Sequence, residues 1–240
     1  MQRLGAIVVS PREACADIDR RPTWVLPFVL ILGCSLAISF VVYQVVVTGA
    51  NFEAVARAKI LWDARLAGAH ETPQSLHEKV EALRQARERW YVFPFFGVVV
   101  SLLGLSVLFY VVLRLIRAGP AFRKVFAVVC WSFVIYRVLG SLVTIVALLV
   151  RGPANFIPAP PEAWSPTSLA MLVPRTAVSA NAYSAISKVD LFFVWTLVVM
   201  TIGFSQTSKN LSLVRSALMV AVLEVAYLAL NALGALPGAT

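Results

Sequence analysis

Arg137 and Glu224 are the residues whose chemistry stands out most against their surroundings. Each lies inside a long apolar run. Arg137 is about twelve residues into one run and Glu224 about ten into another, roughly 18 and 15 Å along a helix. An arginine at the bilayer centre costs roughly 2.5–3.5 kcal/mol on insertion scales, so each group calls for a partner. If the runs are the third and fifth spans of one bundle, they run parallel and both charges reach similar depth. An Arg137–Glu224 ion pair inside the bundle is therefore expected. Such a pair either fixes helix packing or forms a midplane site for a proton, an ion or a small substrate. Cys130, Arg137, Ser141 and Thr144 are placed on one helical face, and Ala217, Ala221, Glu224 and Asn231 on another. These stripes of small and polar residues would let helices approach closely.

Other chemistries find no constellation. There is no Gly-x-Ser-x-Gly elbow, no His-Glu-x-x-His and no phosphate-binding glycine loop. Ser141 follows Gly140 but has no histidine within the apolar runs to activate it. His70 and His77 read as surface residues. Asp190, the one aspartate near a span, is expected to cap or anchor the fourth helix. Cys34 and Cys130 read as small apolar fillers. Three cysteines without repeated spacing give neither a disulfide framework nor a zinc signature. No catalytic, cofactor-binding or metal residues are expected, and the protein is not expected to be an enzyme. The net charge is +9, but the basic residues are scattered, so no nucleic-acid footprint results.

The elements that must position Arg137 and Glu224 follow from composition. Of 240 residues, 60% are hydrophobic and 14% charged, with a mean hydropathy of +0.82. That is too apolar for a water-soluble globule. A span needs roughly 20 apolar residues, and five stretches qualify: 25–47, 92–116, 125–150, 186–205 and 213–233. The fourth is the shortest, and Lys188 at its edge would snorkel to the headgroups. The fold expected is all-α, a polytopic membrane helix bundle of five transmembrane helices in one domain over residues 1–240. It carries an N-terminal amphipathic helix within 1–24 and an extramembrane helical hairpin over 48–90. A proline-rich loop covers 151–185 and is irregular apart from a turn of helix over Ser168–Val173.

Local signals refine this outline. Ser10-Pro11-Arg12-Glu13 reads as a helix start, with Ser10 as cap and Pro11 at the first helical position. Arg12, Arg20 and Arg21 on that helix would rest on anionic lipid. Ser75-Leu76-His77-Glu78 reads as a second capping box, followed by Leu76, Val80, Leu83 and Trp90 on one face. Arg84 and Glu88 are spaced to pair. Gly68 through Pro73 separates this helix from one over Phe52–Leu66. Lysines and arginines divide equally between the two sides, and the short connections carry Arg114, Arg117, Arg123, Lys124, Lys209 and Arg215. Short loops dominate orientation, so the N-terminus is expected in the cytoplasm.

Several of these segments resemble the bacterial branch of the Yip (Ypt/Rab-interacting protein) membrane family. Pro11 with Arg12, then Pro22, Trp24 and Pro27, is similar to the family's approach to its first span. Phe122-Arg123-Lys124-Val125 through Val129 resembles the basic start of the third span, with Ser132 near its middle. Asp190 through Trp195, with Gly203 eight residues on, resembles the fourth-span pattern. The resemblance implies five spans and a membrane adaptor or scaffold without catalysis. It would organise membrane-protein partners or bilayer shape, with an accessory role to a transporter complex as one expected use. The Asp-Leu-x-Gly-Pro motif of eukaryotic members is missing, so binding of Rab-type GTPases is not implied. The implied partners are membrane lipids and other integral membrane proteins, with a homo-oligomer among the expected assemblies, in a bacterial inner membrane. The competing reading is a small oligomeric transporter or channel whose polar path is Arg137 and Glu224. A membrane enzyme, the third reading, would need a catalytic arrangement invisible in these motifs.

Overall fold

Helices account for nearly all of the described chain in a computed structural model, which describes residues 2–46, 52–85, 92–151, 165–174 and 177–232. In chain order they are α1 (Gln2–Val9), α2 (Pro11–Arg20), α3 (Val25–Val46), α4 (Phe52–Leu66), α5 (Pro73–Gln85) and α6 (Val92–Leu115). There follow α7 (Phe122–Val134), α8 (Ser141–Arg151), α9 (Ala180–Ser187), α10 (Leu191–Thr207) and α11 (Leu213–Ala232). A π-helical turn, Ile135–Gly140, joins α7 to α8. Among the described residues there is no strand, only an isolated bridge between Ser168 and Asp190. Phe96–Leu115, Phe122–Val150 and Leu213–Leu230 are long and apolar enough to cross a bilayer. Val25–Val41 and Leu191–Thr207 are shorter apolar stretches. The protein is thus an all-α membrane helix bundle.

The chain alternates between two compact units. One comprises Met1–Ser35, Phe95–Gly140 and Phe192–Glu224. Its core is built on α7, which buries every residue from Val125 to Ser132. Around it stand Ile31 of α3, Leu102, Phe109 and Leu113 of α6, Val199, Met200 and Phe204 of α10, and Val220 of α11. Phe109 and Phe204 meet at 4.7 Å between ring centroids. The N-terminal helices belong to this core rather than lying loosely beside it: Ile7 and Ile18 are fully buried, with Ala14 and Cys15 beside them. The sequence foresees one helix here; the structure has two, because Gln2–Val9 is helical as well. Ser10 occupies the cap position of α2, but its side chain makes no capping hydrogen bond. Its carbonyl accepts the first helical bonds, from the N–H groups of Glu13 and Ala14. α6 ends with the N–H of Ala118 bonded to the Leu113 carbonyl, which places Arg117 at φ 55°. Glycine usually fills that left-handed position.

The second unit comprises Leu36–Pro94, Ser141–Leu191 and Val225–Thr240. α4 and α5 form the expected hairpin, turning at Gly68, whose φ of 67° favours a residue without Cβ. Phe52, Ala56 and Ile60 of α4 enclose Val80 of α5 and Leu148 of α8. Two details of α5 differ from expectation. The box is Thr72 with Ser75, not Ser75 with Glu78: the Ser75 N–H donates to Thr72 Oγ1 at 3.2 Å, and the Thr72 N–H donates to Ser75 Oγ at 3.1 Å. Pro73 is the first helical residue and so moves the start three positions upstream. Arg84 pairs with Glu81 at 2.8 Å, whereas Glu88 and Trp90 lie outside the described residues. Glu71 is held below the usual carboxylate range, first by its hydrogen bond from Lys79 and next by that from Ser75.

The proline-rich segment is more ordered than its composition suggests. Leu169–Leu172 is a turn of 3-10 helix, as foreseen, with Ser168 Oγ accepting from the Ala170 N–H. Ala180–Ser187 is a full helix, capped by Ser179, where an irregular loop was expected. Its Tyr183 meets Trp62 of α4 edge-on at 5.5 Å. The non-helical step Lys188–Asp190 separates α9 from α10, so the fourth apolar helix starts at Leu191 rather than 186. The Leu169 N–H bonds to the Val189 carbonyl and prevents a continuous helix there. Lys188 lies 5.5 Å from the ring centroid of Tyr227.

Candidate functional site

Several of the singled-out positions, Pro22, Trp24, Ser132 and Gly203, fall at contacts that lock the N-terminal segment and α10 onto α7. Pro11 begins α2, where the missing N–H leaves no bond unmade. The link from α2 to α3 carries Pro22 and Trp24 and is tied by its carbonyls. Trp131 Nε1 donates to the Thr23 carbonyl at 2.8 Å, and Arg123 Nε donates to the Pro22 carbonyl at 3.1 Å. Trp24 stands edge-on to Phe126 and Phe28, with centroids at 5.2 and 5.9 Å. Pro27 is buried in the first turn of α3.

Electrostatics close the same junction. Arg3 pairs with Asp17, donates to Thr23 Oγ1 at 2.6 Å and holds its guanidinium 5.8 Å from the Trp131 ring centroid. Lys124 pairs with Asp19. The hydrogen bond from Arg3 holds Asp17 below the usual carboxylate range. Burial pushes the Cys15 thiol up to about 12. Cys15 Sγ lies 3.9 Å from the Val199 carbonyl oxygen, so α2 touches the backbone of α10. Arg12, Glu13, Arg20 and Arg21 remain exposed on this assembly.

α7 and α10 meet along two further motif positions. Ser132 Oγ donates to the Val128 carbonyl at 2.8 Å, one turn back. Thr196 Oγ1 lies 2.8 Å from the Phe192 carbonyl and 3.3 Å from that of Ser132, so one hydroxyl joins the two helices. Thr196 was not singled out from sequence; the available signal was its spacing of seven from Gly203, which puts both on one face. A Cβ at Gly203 would stand 2.5 Å from Val128 Cγ1. Trp195, one position from Thr196, is turned outward. Asp190 lies in the other unit, buried at the start of α10, with one carboxylate oxygen accepting from Ser165 Oγ at 3.1 Å.

The structure does not bring Arg137 and Glu224 together. No hydrogen bond or ion pair joins them. Arg137 sits in the π-helical turn with its guanidinium 5.5 Å from the ring centroid of Tyr136, and Glu224 is buried on α11. The physical reason is local. An i→i+5 turn inserts one residue, about 100° of helical rotation, and breaks the 3.6-residue periodicity on which the expected stripe depended. Such turns are frequent at functional sites. Among the described residues no three His, Cys, Asp or Glu side chains are grouped to hold a metal ion.

A family model described as the Yip1 domain matches residues 5–235, nearly the whole chain. No curated protein and no solved structure matches it.

Proposed function

Since that match makes the chain a member of the Yip1 domain family, we propose that the protein is a non-enzymatic membrane adaptor, organising other integral membrane proteins or the shape of the bilayer. The observation that carries the reading is the N-terminal pair of helices. It is held together by the Arg3–Asp17 pair and clamped to α7 and α10 by Ile7, Ile18, Trp131 and the Lys124–Asp19 ion pair, yet displays Arg12, Glu13, Arg20 and Arg21. A rigid charged surface fixed to membrane helices suits recognition of a partner. The hydroxyls of Ser132, Thr196, Thr207 and Ser216 all donate to backbone carbonyls, a role in packing rather than in chemistry.

The proposed topology has five passes in a bacterial inner membrane with the N-terminus in the cytoplasm. α3 supports it: 22 residues without a charge rise about 33 Å, enough for a hydrocarbon core. α10, with 17 residues, rises about 25 Å and would be the short span. The basic connections after α6 and α10 support the orientation. The accessory role to a transporter belongs to the same proposal.

Affinity isolation from native membranes in mild detergent, against an unrelated multi-pass control, tests the adaptor reading. A stoichiometric partner that is lost from an Arg20→Glu, Arg21→Glu variant supports it. A protein isolated alone, as a defined oligomer, overturns it in favour of the second reading. That reading is a small transporter, favoured by a buried Glu224 and a π-helical turn at Arg137. It requires proton-dependent flux in reconstituted vesicles that vanishes in Glu224→Gln.

A further inference from the structure

We infer that the groove between α10 and α11 binds one anionic phospholipid, its acyl chain along the helices and its phosphate on Arg12. The inference rests on the chain being embedded in a bilayer and is independent of any protein partner.

The groove has a volume of about 370 Å³, within the range of roughly 300–1,000 Å³ usual for ligand sites. Its walls are apolar, Val194, Leu197 and Val198 on one side and Val220 on the other. Its depth comes from Ala217 and Ala221, four residues apart on α11, each presenting a single methyl where a leucine would fill the space. The helices nonetheless stay in register, because Ser216 Oγ donates to the Thr201 carbonyl at 2.7 Å. A channel of branched aliphatic side chains on two membrane helices is matched by hydrocarbon.

One residue in this lining carries charge. Arg12 reaches the groove from α2 and is exposed, with no hydrogen bond or ion pair among the described residues. A guanidinium bordering hydrocarbon needs an anion, and a phosphate accepts two parallel N–H bonds from it. The surroundings favour the same sign of ligand. Arg12 lies in the first turn of α2, at the positive end of that helix's dipole. Glu13 is also exposed, but one residue, about 100°, further round the helix. An apolar groove bordered by an unpaired arginine fits a lipid with a net negative headgroup better than one whose phosphate is already matched by its own ammonium.

Native mass spectrometry of the purified full chain, supplied with phosphatidylglycerol or phosphatidylcholine of the same acyl chains, tests this. The wild type is expected to retain phosphatidylglycerol at least fivefold more than phosphatidylcholine. Arg12→Gln brings the two to the same level, whereas Arg12→Lys keeps most of the preference and shows that the helix still docks. Lys209→Gln, exposed between α10 and α11 but outside the groove lining, leaves the preference unchanged. Ala221→Leu fills the groove and lowers retention of both lipids. Equal retention by the wild type, an unaltered preference in Arg12→Gln, or a lipid-free dimer would each overturn the assignment.

Discussion

Gly203 of α10 faces Val128 of α7 so closely that a Cβ on the glycine would lie 2.5 Å from Cγ1 and 3.2 Å from Cγ2 of the valine. Val128 is itself buried, and its branched side chain is stiff at χ1, so it cannot swing aside. The close approach also brings Thr196 Oγ1 within 3.3 Å of the Ser132 carbonyl, about one turn along α7 and two along α10.

Gly203→Ala should therefore cost about 1–3 kcal/mol, the usual penalty of overpacking a filled core. Val128→Ala in the same chain should recover part of that loss by making room for the new methyl. Thermal unfolding in detergent measures both. If Gly203→Ala is neutral, or if Val128→Ala adds its own loss without any recovery, α7 and α10 do not meet this tightly.

The Thr72 and Ser75 exchange makes a second prediction. Thr72→Ala removes the acceptor for a first-turn N–H of α5 and should cost about 1 kcal/mol, within a range of about 0.5–2. Glu78→Ala, at the position that sequence spacing favoured, should stay within about 0.5 kcal/mol because its backbone partner is absent. Hydrogen exchange over Leu76–Arg84 reports the difference. Equal effects from both substitutions would mean that the helix starts at Ser75 after all.

These two cases show what could be read before any coordinates. Long charge-free runs announce membrane helices, because nothing else tolerates twenty apolar residues in sequence, and the stretch from Gly68 to Pro73 announces the break between α4 and α5. The start of α5 was misplaced because Thr72-Pro73-Gln74-Ser75 satisfies the same reciprocal bonds as the favoured Ser/Glu pattern. α9 was hidden by neighbouring prolines, although Ser179 is an ordinary cap. The π turn had no signal at all: nothing in Ile135–Gly140 distinguishes an i→i+5 turn from an α-helical one. That single inserted residue undid the expected geometry around Arg137, whereas the junction at Trp24, Pro27 and Ser132 depends on contacts that sequence motifs only index.

The N-terminal junction should respond to acid. Asp17 has a folded-state pKa below its free value of 3.8, chiefly through the hydrogen bond from Arg3. A depressed carboxylate stabilises the fold above the free value, and that contribution is lost as pH falls through the lower, folded value. Half of the Asp17 side chain is open to solvent, so screening keeps the effect small. Hydrogen exchange over Arg3–Val9 should be unchanged between pH 7 and 5 and quicken, after correction for intrinsic rates, below the free carboxylate range. Asp17→Asn should remove that step. A wild-type step centred near neutrality would implicate another group.

Arg137 and Glu224 supply the last prediction, since both are embedded in apolar helices and neither answers the other. Arg137→Leu removes a guanidinium that lies over Tyr136, and Glu224→Gln removes a carboxylate that is buried on α11. Two sites that share no partner should add, with a coupling energy below about 0.5 kcal/mol in a double-mutant cycle. Stability in lipid nanodiscs is the right measure, because detergent admits water to groups the bilayer would keep dry. A coupling above about 1.5 kcal/mol, with the double variant more stable than Arg137→Leu alone, would show that the pair forms in the membrane. In that event the π-helical turn would have to rewind to an α-helical one to bring the guanidinium round, and the transport reading would gain the midplane charge pair it requires.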